Sequence, residues 1–192
     1  LGIYTIGDLA RTDVEILKRH MKKQGELIWN FANGRDFSLV EAVPPPNKGY
    51  GNSTTIPVDV TSASQASLVL LALAETVGAR LRKDGKKAEV LSVSIKDYLF
   101  QTASHQCRLP APTNITEELH RHACSLFLEL WDGLPIRHLG IHTGRIQDEN
   151  AMRQMELFDT RDYGKLERLD RAVDTIRRRY GMDAGCVPGI PH

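Results

Sequence analysis

Apolar residues recur at helical spacing through Leu9, Val14, Leu17, Met21 and Ile28, after an opening Gly-Ile-Tyr-Thr-Ile-Gly-Asp. This periodicity predicts two short helices following a glycine turn within the first 36 residues. From Glu41 the pattern dissolves into Val43-Pro-Pro-Pro-Asn-Lys-Gly49. Consecutive prolines remove backbone donors and favour an extended tether, so a domain boundary is expected there. Ile56, Val58 and Val60 then alternate with Thr55, Pro57 and Asp59 as a strand buried on one face does, although Pro57 cannot donate to a ladder. Ser62 with Gln65 can form a capping box, and Ala66, Val69, Leu70, Leu73, Ala74, Val77 and Leu81 fall on one helical stripe.

The next segments continue the alternation between periods. Leu91, Val93 and Ile95 alternate with Ser92, Ser94 and Lys96, and a third strand is expected over Phe100–Leu109, joined to the second by a turn near Asp97–Leu99. A helix from about Thr116 buries Leu119, Ala123, Leu126, Phe127 and Leu130, and Leu139, Ile141 and Thr143 alternate with His138, Gly140 and His142 in a fourth strand. The order strand, helix, strand, strand, helix, strand predicts an α+β fold, the ferredoxin-like split βαββαβ unit. Two helices then cover one face of an antiparallel sheet and leave the other open. The tail carries Gln154-Met-Glu-Leu-Phe158 and a helix with the stripe Leu166, Leu169, Val173, Ile176 and Tyr180, closed by Arg177, Arg178 and Arg179, which complement the helix dipole. The expected divisions are 1–40, a proline-rich linker over 41–49, the sheet domain over 50–147 and a tail over 148–192.

Composition narrows the possibilities. At 192 residues, 41% hydrophobic and 26% charged, the chain suits one medium domain or two small ones. Its longest apolar run, Leu68–Ala74, is far short of the roughly 20 residues of a membrane span, so no membrane partner is expected. Cys107, Cys124 and Cys186 are odd in number and widely spaced, as in a reduced, cytoplasmic protein. A start at Leu1-Gly2 without Met or leader reads as a piece of a longer polypeptide. With 25 Lys and Arg against 24 Asp and Glu the net charge is +1, so any affinity for nucleic acid must come from local arrangement.

Candidate chemistry concentrates on the open sheet face. Ser53 and Thr55, then Ser92, Ser94 and Lys96, then Thr102, Ser104 and Gln106, with His138 and His142, form a surface of short hydrogen-bonding groups. Such a surface lets a phosphate backbone approach without selecting a base sequence. The same alternation arises in any antiparallel sheet wet on one side, and on pattern alone that reading is favoured. The third strand has a second register, in which Ala103, His105 and Cys107 face outward. Gly2 and Gly7 suit the hairpin of a helix-hairpin-helix unit, where glycine permits positive φ and free amides can point at a phosphate, although glycine is also common in plain helix turns. Gln154, Met155, Leu157 and Phe158 can fill a partner's pocket or pack back on the domain. No catalytic constellation stands out: His120 and His122 lie two apart on a helix, and the paired acids Asp13/Glu15, Glu117/Glu118 and Asp148/Glu149 sit in helices or loops.

Taken in order, Gly2-Ile-Tyr-Thr-Ile-Gly-Asp-Leu-Ala10, Lys48-Gly-Tyr-Gly-Asn-Ser-Thr-Thr55, Phe100-Gln-Thr-Ala-Ser-His-Gln106 and Pro135-Ile-Arg-His-Leu-Gly-Ile141 resemble the C-terminal half of Y-family translesion DNA polymerases of the DNA polymerase IV and UmuC-like (impB/mucB/samB) group. The resemblance implies a partial helix-hairpin-helix thumb followed by a little-finger domain, functioning in DNA repair and the SOS damage response. It further implies DNA contacts from Gly2, Gly7, Lys48, Gly49, Gly51, Ser53, Thr55, Ser92, Ser94, Lys96, Ser104, His105, Gln106 and His142 to double-stranded primer–template DNA. Gln154, Met155, Leu157 and Phe158 match the family's sliding-clamp-binding peptide, here followed by a basic helix as in UmuC-like members from Gram-positive bacteria. His105 stands where many relatives have Arg, and His142 where some have a basic residue or Ser, which implies a grip that is weaker or pH-sensitive near neutrality. The family's catalytic carboxylates and Mg2+ belong to a palm that would precede Leu1, so no cofactor and no catalysis are expected in this chain. A freestanding ferredoxin-like DNA-binding or regulatory module, using the open sheet for a small ligand or for dimerisation, is the alternative.

Overall fold

A computed structural model describes residues 1–39, 43, 45–150 and 162–181. The peptide Gln154–Phe158, Cys186 and part of the proline-rich segment lie outside the described residues. The chain divides into two compact units, Leu1–Pro45 and Pro46–His192.

The first unit holds three helices, α1 (Ile6–Arg11), α2 (Val14–Met21) and α3 (Lys23–Ala32), where periodicity predicts two. The extra break falls at Lys22, whose φ of 53° ends one helix and begins the next. Thr5 caps α1: its hydroxyl accepts from the Asp8 amide, and the Asp8 carboxylate accepts from the Thr5 amide at 3.1 Å and the Tyr4 amide at 3.3 Å. Among the described residues of this unit, Leu17 is the buried apolar side chain.

The second unit contains β1 (Gly49–Val60), α4 (Ala63–Lys83), β2 (Lys86–Asp97), β3 (Thr102–Thr113), α5 (Thr116–Leu130), β4 (Ile136–Asp148) and α6 (Tyr163–Tyr180). Its strands form one antiparallel sheet in the order β1-β4-β2-β3. Each helical crossover therefore skips one strand: β1 and β2 flank β4, and β3 and β4 flank β2. This is the ferredoxin-like split βαβ arrangement made twice. The strands are longer than alternation alone predicts, because their irregular ends do not alternate. Pairing of β1 with β4 shifts between Thr55 and Val60, so the missing N–H of Pro57 breaks no ladder. Pro110 and Pro112 sit likewise in the register shift of edge strand β3, between its pairs Arg108–Val90 and Thr113–Ala88.

The core lies between the sheet and helices α4 and α5. Leu70, Leu73, Val77 and Leu81 of α4 and Leu119, Leu126 and Phe127 of α5 meet Leu91, Val93, Ile95, Leu139 and Ile141 of the central strands. Ser62 caps α4 by accepting from the Gln65 amide, while the Gln65 side chain accepts from the Thr61 amide, one residue before the reciprocal position of a standard capping box. Phe127 stacks on Trp131 at 5.4 Å between ring centroids, and the indole N–H donates to the Leu134 carbonyl.

Helix α6 departs most from expectation. Of its predicted apolar stripe, Leu169, Ile176 and Tyr180 are exposed and only Leu166 and Val173 are half-buried. What docks α6 is charge. The Arg82 guanidinium of α4, 8% exposed, places Nε and Nη2 on the Asp174 carboxylate at 2.6 and 2.9 Å and Nη1 on Asp170 at 3.0 Å. The same Nη1 donates to the Asn114 carbonyl and the Thr116 hydroxyl. Asp170 also accepts from the Thr116 amide at 2.9 Å, so a residue of α6 caps α5, whose own N-cap residue Ile115 has no side-chain acceptor. Arg177 pairs with Glu75 at 2.8 Å and Lys87 with Glu167 at 3.4 Å.

Removing one partner of a buried ion pair leaves the other uncompensated. Arg82→Met is expected to lower the unfolding free energy by about 3–5 kcal/mol in urea denaturation, and to expose α6 to limited proteolysis before the sheet domain unfolds.

Candidate nucleic-acid interface

Register fixes which side chains share the uncovered face. Cross-strand partners line up in four rungs running over β1, β4, β2 and β3: Gly49, Gly144, Val90 and Arg108; Gly51, His142, Ser92 and Gln106; Ser53, Gly140, Ser94 and Ser104; and Thr55, His138, Lys96 and Thr102. Leu91, Val93 and Ile95, the intervening residues of β2, are 0, 0 and 6% exposed, so the opposite face is sealed. The expected hydroxyl-bearing platform is therefore present, with Ser92, Ser94 and Lys96 half-buried within it and Ser53, Thr55, Thr102, Ser104 and Gln106 exposed toward its edges.

Its relief is low because of glycine. A Cβ on Gly140 would stand 2.7 Å from the Ser94 hydroxyl oxygen and 3.0 Å from the Ser53 Cβ. Ser94 could turn its hydroxyl aside, but the Ser53 Cβ is fixed to the backbone. On the next rung the His142 imidazole lies across β1, where a Cβ on Gly51 would come within 2.6 Å of Nδ1. Small residues thus let the two strands carry a ring and two hydroxyls at nearly one level. The Thr55 hydroxyl and His138 Nδ1 are 3.1 Å apart, and the Ser92 hydroxyl donates to the His142 carbonyl at 3.3 Å.

Of the predicted contacts, the structure brings together Gly49, Gly51, Ser53, Thr55, Ser92, Ser94, Lys96, Ser104, Gln106 and His142, with exposed Lys48 one residue before β1. His105 does not join them. It pairs with buried Val93, on the helical side of β3, and its Nε2 lies 3.3 Å from Glu129 of α5. Strand alternation forces this: once Ser104 and Gln106 face outward, the residue between them cannot. The same register settles the third strand, placing Ala103 and Cys107 opposite inward-facing Ile95 and Leu91.

In the first unit Gly2 takes a φ of 65°, but Gly7 lies inside α1 with an ordinary helical backbone, so the expected use of positive φ there is corrected. The Tyr4 and Thr5 amides are already bonded to Asp8, whose carboxyl is held below its ordinary value by the Thr5 hydroxyl first and then by Arg11. A phosphate reaching this turn would meet that carboxylate.

Two cations were not foreseen. Arg108 continues the outward alternation of Gln106 and was legible from that register; its Nη2 lies 3.7 Å from Glu89. Arg145 is exposed within β4, where its φ is 50°, and no alternation announces that conformation. Lys96 and Arg145 make no ion pair among the described residues.

Residues 47–157 match the model of the impB/mucB/samB family C-terminal domain. The chain belongs to the impB/mucB/samB family. Relatives named DNA polymerase IV are similar along almost the whole chain. That of Acetivibrio thermocellus is 37% identical over 185 residues, 94% of this chain and 46% of the relative. That of Clostridium acetobutylicum is 35% identical over 181 residues, with the same coverage of each. The Bacillus subtilis protein named DNA polymerase IV 2 is 34% identical over 189 residues, 96% of this chain and 45% of the relative. The chain thus spans about half the length of these curated relatives. The four rungs all fall within the part that matches this family's C-terminal domain. No described helix is long and apolar enough to cross a membrane.

Gly140→Ala is expected to cost about 1–3 kcal/mol in thermal unfolding, because the added methyl overpacks the centre of the platform. Gly144→Ala, at a position with open space around it, should be near neutral.

Proposed function

We propose that this chain is the DNA-gripping C-terminal region of a translesion DNA polymerase acting in damage tolerance. The feature that supports this reading most is the rung Ser53, Gly140, Ser94 and Ser104, low and hydroxyl-lined at the centre of an uncovered sheet. Short donors at one level can meet successive phosphate oxygens of a duplex, and they offer no long side chain to read base edges. Arg108 in the first rung and Lys96 in the last, with Lys48 and Arg145 next in sequence to Gly49 and Gly144 of the first, supply positive charge that the overall balance of +1 does not.

In this reading primer–template DNA is the partner of the platform, Gly2 and Gly7 belong to a thumb hairpin on the duplex, and polymerisation with its Mg2+ belongs to a palm outside this chain. The function of residues 46–148 is retention of DNA under whatever sequence is being copied. Gln154-Met155-Glu156-Leu157-Phe158, from its sequence, supplies the tether to a sliding clamp: apolar Met155, Leu157 and Phe158 would enter a pocket while the Gln154 amide bonds at its rim. A cavity of about 750 Å3 lies between α4 and α6, on the helical side of the sheet.

Binding to unrelated duplexes should give similar affinities, with log K falling linearly with log salt; Lys96→Ala should reduce the slope by about 1. A strong preference for one sequence, or no binding at low salt, would contradict the reading. Replacing Leu157 and Phe158 by Ala should abolish retention on an immobilised bacterial clamp without changing duplex affinity, and unchanged retention would remove the tether.

A further inference from the structure

Cys124, His120 and Ser67 form a cluster of nucleophilic and titratable groups that DNA retention does not use. We propose that Cys124 is a modification site, a nucleophilic thiol on the helical side of the second unit that takes up a small disulfide and carries the resulting mixed disulfide away from the platform. His120 and Cys124 are four residues apart on α5 and therefore share a face, and Ser67 reaches them from α4. His120 Nε2 lies 3.0 Å from the Ser67 carbonyl oxygen. A carbonyl can only accept, so this nitrogen carries a hydrogen. The same nitrogen is 3.3 Å from Cys124 Sγ and 3.0 Å from the Ser67 hydroxyl.

An imidazole nitrogen that bears hydrogen cannot remove the thiol proton. Its single hydrogen is shared between the Ser67 carbonyl and the Cys124 sulfur, and the share that reaches sulfur favours the charged form. In the thiol form Cys124 donates to the Ser67 hydroxyl at 3.5 Å; on ionisation that hydroxyl can turn and donate in return. Burial pushes the Cys124 thiol up, but the hydrogen bonds of His120 and Ser67, with the imidazolium charge, outweigh it and hold the thiol below its ordinary value. His120 is held above its ordinary value, chiefly by its bond to Cys124. Cys107 is the contrast: burial first, and then Glu129, push its thiol up. Both cysteines are half-buried, so exposure alone does not separate them.

The reaction needs only a low-molecular-weight disulfide as co-reactant. The Cys124 thiolate attacks one sulfur, the disulfide bond breaks, and its electron pair leaves on the second sulfur, which takes a proton from water. One Cys–S–S–R bond replaces one R–S–S–R bond, and the released thiol accounts for both electrons.

The full chain treated with oxidised glutathione at pH 7, acid-quenched and mapped by peptide mass spectrometry, should show Cys124 modified about tenfold faster than Cys107. His120→Gln and Ser67→Ala should each slow Cys124 and leave Cys107 unchanged. A variant that merely loosened the packing of α4 on α5 would accelerate Cys124, so the two effects have opposite sign. The proposal is overturned if Cys124 in the parent chain reacts no faster than Cys107, or if His120→Gln leaves its rate unchanged or raised.

Discussion

The platform of the second unit depends on one constraint: a strand turns successive side chains to opposite faces, and only one face of this sheet is covered. Helices α4 and α5 seal Leu91, Val93, Ile95, Leu139 and Ile141, and in doing so commit Ser92, Ser94, Lys96, His138, Gly140 and His142 to the other side. A slip of one residue in β2 would bury two serines and a lysine and expose three aliphatic side chains, so the register that makes the core also makes the platform. The composition of the uncovered face is then free to serve something other than stability. It holds glycine at Gly49, Gly51, Gly140 and Gly144, residues that weaken a strand interior but keep its surface low.

Helix α6 adds a second dependence of a different kind. Its hold on the domain is a charged cluster around Arg82, in which Asp170 neutralises the guanidinium and caps α5 at once. Burial of such a cluster is costly unless every donor is matched, and here Arg82 is shared among two carboxylates, a carbonyl and a hydroxyl. The helix is thereby joined to the side of the domain that the platform does not use.

Much of this was legible in the sequence. The α4 stripe from Ala66 to Leu81, the alternation of β2 and the α5 face from Leu119 to Phe127 follow from periodicity, because each buries a continuous apolar face. Other features were not, for identifiable reasons. His105 looked like part of the platform because a resemblance transfers positions, whereas pairing with Val93 decides which way a side chain points. The three helices of the first unit, against two expected, depend on a single positive φ at Lys22, a residue with no preference for it. In α6 the stripe from Leu166 to Tyr180 is the stronger periodic signal, and the acids that dock the helix are recognisable only once Arg82 is seen buried beneath them. Gly140 was placed on the outward face by alternation, but its contribution, closeness to Ser53 and Ser94, is a cross-strand fact.

The central claim, that the uncovered face meets a sugar-phosphate backbone, is tested most directly by titrating a short duplex of arbitrary sequence into the isotope-labelled chain and following backbone amide shifts by NMR. The account predicts that the largest changes fall on Gly51, Ser53, Ser92, Ser94, Lys96, Ser104 and Gln106, with α4 and α5 undisturbed. Changes centred on the helices, with those rungs silent, would contradict it.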